Sequence, residues 1–355
     1  MSELVIIALG FIFGVLISFS SLNKFNTIAG LSILKNFKVA KTIMLTLGIG
    51  GVLLMMEMMS GDAAFHVKPF FTIGTALGGI IFGIGMSILG YCPGTLPISL
   101  GQGSVDALIG IVGGFIGGIL FTISYPSILN IMGTDIGNIS LFTLMGAKFS
   151  FSYVIVVLII SLLLIVGALW LNHIDSNKGL SGNRWILTGI GLALLNIALF
   201  FIGWQEQPMG ASSSYPYIGD NITYLTSSSY YGTISKAGNW EMWFLIGAFL
   251  AGIFSTLFKR NFRLQMTHSL WRKYRGNSYK NRAWWAFIGG VLLIFGARMA
   301  GGCTSGHIIS GGMQFAVSSY IFAIFTFIGF LSTGYYFYIR YAQKHSTKNR
   351  NTTIK

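Results

Sequence analysis

Cys92 and Cys303 are the only thiols in this chain of 355 residues, and they stand in matching surroundings. Gly90-Tyr-Cys92-Pro-Gly94-Thr95-Leu-Pro-Ile98-Ser99-Leu-Gly101 and Gly301-Gly-Cys303-Thr304-Ser305-Gly-His307-Ile-Ile309-Ser310-Gly-Gly312 both read G-x-C-x5-I-S-x-G. Each follows an apolar run that carries Phe-Gly-x-x-Met, at Phe82 to Met86 and at Phe295 to Met299. A lone cysteine is more often a packing residue than a reactive one. The duplicated context reverses that preference. A thiol is a soft, weak hydrogen-bond partner, suited to a sulfur atom and poorly suited to a hard oxyanion alone. Pro93 marks a first helical position, which puts Cys92 near an N-cap, and Thr304 and Ser305 are able to cap a helix after Cys303. Helix N-termini attract anions, so the expected ligand is a sulfur-containing anion. The candidate ligand-binding residues are Cys92, Gly94, Thr95 and Ser99 in the first motif, and Cys303, Ser305 and Ser310 in the second. Arg298, five residues before Cys303, either balances the anion's charge or snorkels to the membrane surface. His307 lies about one helical turn beyond Cys303 and either lines the pocket or is a hydrogen-bonded structural histidine. Two cysteines supply neither a disulfide framework nor a zinc site without outside ligands. No flavin, haem or quinone ligand set is present, so no metal and no cofactor is expected.

The elements that must position these residues are membrane helices. The chain is 53% hydrophobic and only 9% charged, against about 25% charged in soluble domains. Apolar runs at roughly 4–22, 42–59, 71–89, 105–125, 151–171, 185–204, 241–258, 284–300 and 315–339 predict nine spans in an all-α integral membrane protein. The net charge of +14 would suit nucleic acid, but the basic residues sit between apolar runs instead. Nineteen of the 23 lysines and arginines fall on one side, eight of them between Lys259 and Arg282. The positive-inside rule then places the N-terminus outside and the C-terminus in the cytoplasm. It also makes the polar stretch 205–240 an external loop. Each cysteine follows the third span of a group of four, and one span separates the groups, so the second group enters from the opposite face. That predicts two inverted repeats, with re-entrant or broken helices at the cysteine motifs. The organisation expected is a first repeat over 1–135, a connecting span and linker over 136–184, a second repeat over 185–340 and a basic, solvated tail over 341–355. Spacings such as Gly10–Gly14 and Gly74–Gly78 predict close helix packing.

At the cysteine motifs the chain resembles the YeeE/YedE family of membrane proteins, whose characterised branch takes up thiosulfate. Phe295-Gly-Ala-Arg-Met-Ala-Gly-Gly-Cys303-Thr-Ser-Gly-His307 is similar to the family's F-G-x-x-x-A-G-G-C-x-x-G, and Gly90-Tyr-Cys92-Pro-Gly94-Thr95 to its G-G-C-x-x-G-T. Lys24-Phe25-Asn26 stands where the family commonly has R-F-C, which makes Asn26 a further candidate with an amide in place of a thiol. The resemblance implies an inner-membrane permease, not an enzyme, importing thiosulfate or a related sulfur or selenium anion past a short row of cysteines. It leaves two other readings. One is a membrane redox or sulfur-transferase protein that uses the Cys92/Cys303 pair. The other is a scaffold for a soluble cytoplasmic sulfurtransferase docked on the basic 259–282 segment. Membrane lipids are expected partners, and nucleic acid is not.

Overall fold

Long stretches of Leu, Ile, Val, Phe and Gly satisfy their backbone hydrogen bonds within one segment only as helices, and in lipid no other open arrangement is tolerated. The computed structural model describes residues 2–180, 182–201, 207–260 and 262–344, and within these the regular elements are all helical. They are α1 (Glu3–Phe19), α2 (Phe25–Ser32), α3 (Lys38–Ser60), α4 (Thr72–Leu89), α5 (Thr95–Gly101), α6 (Val105–Ile131) and α7 (Leu141–Leu144). After them come α8 (Phe151–Asn177), α9 (Arg184–Phe200), α10 (Ser214–Ile222), α11 (Ser229–Phe258), α12 (Ser269–Arg275), α13 (Tyr279–Met299) and α14 (Val317–Gly334). Thr304–Gly311 and Tyr335–Arg340 wind as wider π-helical turns. The tail expected to be solvated lies, from residue 345 onward, outside the described residues.

Among the described residues, seven helices are long and apolar enough to cross a membrane: α3, α4, α6, α8, α11, α13 and the helix that begins at Val317. The apolar α1 and α9 have 17 residues each. The protein is thus a multi-pass, all-helical membrane protein. Helix α8 shows most directly what its surroundings must be. Leu158, Ile159, Leu162, Leu163 and Val166 all stand exposed on it, a belt that water would penalise and that lipid accepts. Its C-terminal end is pinned to α3 by a buried Lys41–Asp175 ion pair at 2.8 Å, with Asn172 accepting a second bond from Lys41.

The order of elements recurs along the chain. Helices α1, α2, α3, α4, the Cys92 turn, α5 and α6 are followed, after α8, by α9, α10, α11, a short α12 that has no counterpart in the first series, α13, the Cys303 bend, the π-helical Thr304–Gly311 and α14. Packing follows the same exchange: α6 lies along α13 as α14 lies along α4, and α1 lies along α11 as α9 lies along α3. Helices α4 and α13 also pack directly against each other. Small residues make these crossings close, as the glycine spacing predicts. A Cβ on Gly78 of α4 would sit 2.6 Å from the Ala300 nitrogen, and Gly10 of α1 faces the Phe244 carbonyl directly.

Two expectations change. The stretch 205–240 is not a simple external loop: α10 packs on α6 and α11, Ser212, Ser213, Ser214 and Tyr215 are buried, and α11 is already helical from Ser229. Polar side chains carry this re-entry, so a hydropathy window passes over it. Arg282 is not a solvated loop residue either. It lies in the first turn of α13, fully buried.

Candidate functional site

Both cysteines sit where a long helix stops. Helix α4 ends at Gly90, in the left-handed region at φ +76°, with its N–H bonded to the Met86 carbonyl. Glycine is required there twice over, because a Cβ would also run into the Phe25 ring. The chain then turns at Cys92-Pro93-Gly94 and starts α5 at Thr95, two residues later than Pro93 predicts. The turn closes on itself. The Cys92 N–H donates to Thr95 Oγ1 at 2.9 Å, and the Cys92 carbonyl accepts from the Thr95 and Leu96 N–H groups at 3.0 and 3.1 Å. Those donors are therefore already used, which narrows the anion cradle that an N-cap at Cys92 would give. The Pro93 carbonyl is held from the second half of the chain by the Tyr215 hydroxyl at 2.9 Å.

In the second motif, Gly301 (φ +82°) turns the chain out of α13, and the Cys303 carbonyl accepts from the His307 N–H at 2.7 Å. The Cys303 thiol contacts Ser305 Oγ at 3.3 Å. His307 is the clamp of this bend rather than a wall of the cavity. Its ring is fully buried, with Nε2 on the Ala300 carbonyl at 2.7 Å, Nδ1 on Ser319 Oγ at 3.2 Å and its face on Phe322 at 4.7 Å.

One cavity of about 230 Å³ is lined by both thiols. Gly94 and Thr95 border it beside Cys92, and Thr304 and Ser305 beside Cys303. Elsewhere, apart from Thr42 and Thr326, the lining residues are apolar, among them Phe13 and Ile17 of α1, Ile28 and Leu31 of α2, Leu47 of α3 and Phe330 of α14. Cys92 is half-buried and Cys303 buried, and both are free thiols.

The other sequence candidates stand off this cavity. Ser99 is buried against Asn23, accepting from its side-chain amide at 3.2 Å and donating to its carbonyl at 2.7 Å. Ser310 donates to Asn196 Oδ1 at 2.8 Å and to the Met209 carbonyl at 3.1 Å, holding the π-helical segment to α9. Asn26 is exposed and spans to α12, donating to Ser269 Oγ at 2.8 Å and accepting from the Leu270 N–H at 3.0 Å. Arg298 is buried and donates from Nε to the Tyr230 hydroxyl at 2.6 Å and from Nη1 to Ser212 and Ser213 Oγ at 3.0 and 2.9 Å. Beside it the Glu241 carboxylate accepts from the Ser213 and Ser214 N–H groups, so the start of α10 already holds an anionic side chain.

A second buried cluster supports the Cys92 turn from the other side. Arg282 donates to Asp106 from Nε and Nη2 at 3.0 and 2.6 Å, and to the Ile88 and Leu89 carbonyls at 3.0 and 2.7 Å. Tyr91 and His268 complete it, 2.9 Å apart, each within 3.3 Å of Asp106. The one signal for this cluster in the sequence is Asp106, an acid at the edge of an apolar span, which demands a partner.

Comparison with known proteins bears on this arrangement. A family profile described as Sulphur transport matches residues 6–332. The chain belongs to that sulphur-transport family. It is also similar to the thiosulfate transporter TsuA of Spirochaeta thermophila, 23% identical over 342 residues that cover 90% of this chain and 94% of that protein. The match extends across both cysteine motifs and nearly all the helices described above.

Proposed function

We propose that the protein is an inner-membrane permease that imports thiosulfate, or a closely related sulfur anion, through the chamber shared by Cys92 and Cys303. The observation that carries this reading is that the only two thiols in the chain, from separate halves, line one cavity. Family membership and the likeness to a thiosulfate transporter support the substrate class. The soft thiols face the sulfane sulfur as it passes, and apolar walls keep bulk water and hard, strongly hydrated anions out.

The path runs between two inverted halves, residues 1–135 and 185–340, in a bundle of nine spans. Helices α1 and α9 count as spans in this reading, since 17 residues meet the lower limit for crossing the hydrocarbon core. The exchanged packing of α6 with α13 and α14 with α4 supports the inversion, because a two-fold relation produces that pairing. The charge distribution supports an external N-terminus and a cytoplasmic C-terminus. A soluble sulfurtransferase docking on the basic 259–282 segment would draw imported sulfur away and keep uptake downhill.

Growth tests the function. A strain without other sulfur-uptake systems should grow on thiosulfate when given this gene, and should fail to with Cys92→Ala or Cys303→Ala at equal protein level. Wild-type growth with both substitutions would leave the thiols without a role in transport.

A further inference from the structure

A second cavity, of about 380 Å³, lies between α6 and α11. Helix α6 lines it with Ile111 and Phe115, α11 with Leu245 and Ile246, α5 with Leu100 and α10 with Tyr215. Burial sets its depth: Tyr215 and Leu245 are 2% and 8% exposed, whereas Ile246 is 37% exposed and stands at the mouth. Exposed apolar stripes flank that mouth. Leu108, Val112 and Ile116 recur every four residues on α6, and Ile246, Leu250 and Phe254 do so on α11. Ile111 and Phe115 each follow a member of the first stripe by three residues, so they adjoin it on the helix surface. The cavity is therefore a cleft in the surface that these two spans present to lipid, and that surface continues on both sides of it.

We infer that this cleft holds an acyl chain of a membrane phospholipid, which enters between α6 and α11 and packs against Tyr215. Water is poorly served there. The two hydroxyls in the lining are committed, Tyr215 to the Pro93 carbonyl at 2.9 Å and Ser214 to the Ala211 carbonyl at 2.9 Å, and a trapped water needs about two to four polar partners. An empty apolar cleft forfeits dispersion contacts along its walls. The bilayer supplies hydrocarbon at the mouth, and a chain that moves in from bulk lipid loses no hydration. A second copy of this protein fits less well. A helix about 10–12 Å across is too wide for a space of this size. Helices also meet in lipid through small or polar residues, whereas the two stripes carry Leu, Val, Ile and Phe. The lodged chain lies against two elements that hold the Cys92 turn: Tyr215, through its bond to Pro93, and α5, which begins three residues after Cys92. It backs the candidate site from the membrane side, whatever anion passes there.

The test uses the full-length protein in phosphatidylcholine vesicles that contain a small share of phosphatidylcholine with a photoactivatable diazirine in mid-chain. After illumination, mass spectrometry of proteolytic peptides locates the adducts. Leu158, Leu162 and Val166 on α8, exposed to bulk lipid, are the internal reference. Tyr215 and Leu245 are too buried for bulk lipid to touch, so adducts on them at a yield per residue that at least matches the reference are the expected result. Yields well below the reference would overturn the inference. Ile246→Trp narrows the mouth at an exposed position, so adducts on Tyr215 and Leu245 should fall several-fold while α8 labelling stays unchanged. Undiminished adducts in that variant would overturn entry between α6 and α11. Light scattering on the same protein gives its oligomeric state. A dimer in which Ile111 and Ile246 escape the photolabel would assign the cleft to a second copy and overturn the inference.

Discussion

Replacing Asp106 by alanine tests how the Cys92 turn is held. Arg282 and Asp106 are both fully buried and joined by bonds at 3.0 and 2.6 Å. Removing the carboxylate strands a guanidinium that cannot lose its proton, a change that costs about 3–5 kcal/mol in buried pairs. That corresponds to roughly two to three and a half decades in the ratio of folded to unfolded protein. Arg282→Met strands a carboxylate instead, but Tyr91 and His268 remain beside it and soften the loss. It also removes the donors to the Ile88 and Leu89 carbonyls, in the last turn of α4. The combination Asp106→Ala with Arg282→Met leaves no unpaired charge, and Tyr91 and His268 can still bond to each other at 2.9 Å. Its remaining cost is the two carbonyls, about 1–3 kcal/mol each, a cost that Arg282→Met alone also carries. The double variant should therefore lose clearly less than the sum of the two single losses, with a coupling of about 2 kcal/mol or more between the sites. Thermal unfolding of all four proteins in one detergent gives the cycle. Additive losses, with the double variant the least stable, would refute the reasoning that charge pairing governs this cluster.

Four further outcomes follow from particular contacts. Gly78→Val should abolish folded, monodisperse protein because its Cβ falls against the Ala300 backbone, whereas Gly232→Ala, with open space around it, should be tolerated; size-exclusion profiles compare them. Tyr215→Phe frees the Pro93 carbonyl from its partner, so maleimide should label Cys92 several-fold faster than in the wild-type protein at similar total stability. Asn26→Cys should change thiosulfate uptake less than about twofold, since Asn26 faces Ser269 and Leu270 and loses bonds worth about 1 kcal/mol each. Intact mass of the purified protein should correspond to two free thiols, and a persulfide or an internal disulfide would favour sulfur-transfer chemistry over permeation.

The cysteine motifs were legible because duplication is visible in residue identity alone, and the spans because apolar runs need no tertiary information. What the sequence hides is where polar residues are buried. Ser212, Ser213, Ser214 and Tyr215 read as an exterior loop by hydropathy, yet their hydrogen bonds to Arg298, Glu241 and Pro93 let them re-enter the fold. Arg282 reads as one more positive charge between spans until Asp106 is seen beneath it. His307 and Arg298 had two readings each at their spacing from Cys303; three dimensions assign both side chains to bonds away from the cavity wall. The offset of α5 by two residues is likewise a local choice: Thr95 closes the turn through its own side chain before the helix begins.

The most direct test of a shared cysteine passage is uptake of labelled thiosulfate into liposomes that contain this protein alone. Saturable uptake by the wild-type protein, lost in Cys92→Ala and in Cys303→Ala and no more deeply impaired in the double variant, is the result expected if one anion must pass both thiols. Uptake at the wild-type rate in either single variant, or two partial losses that multiply in the double variant, would contradict it.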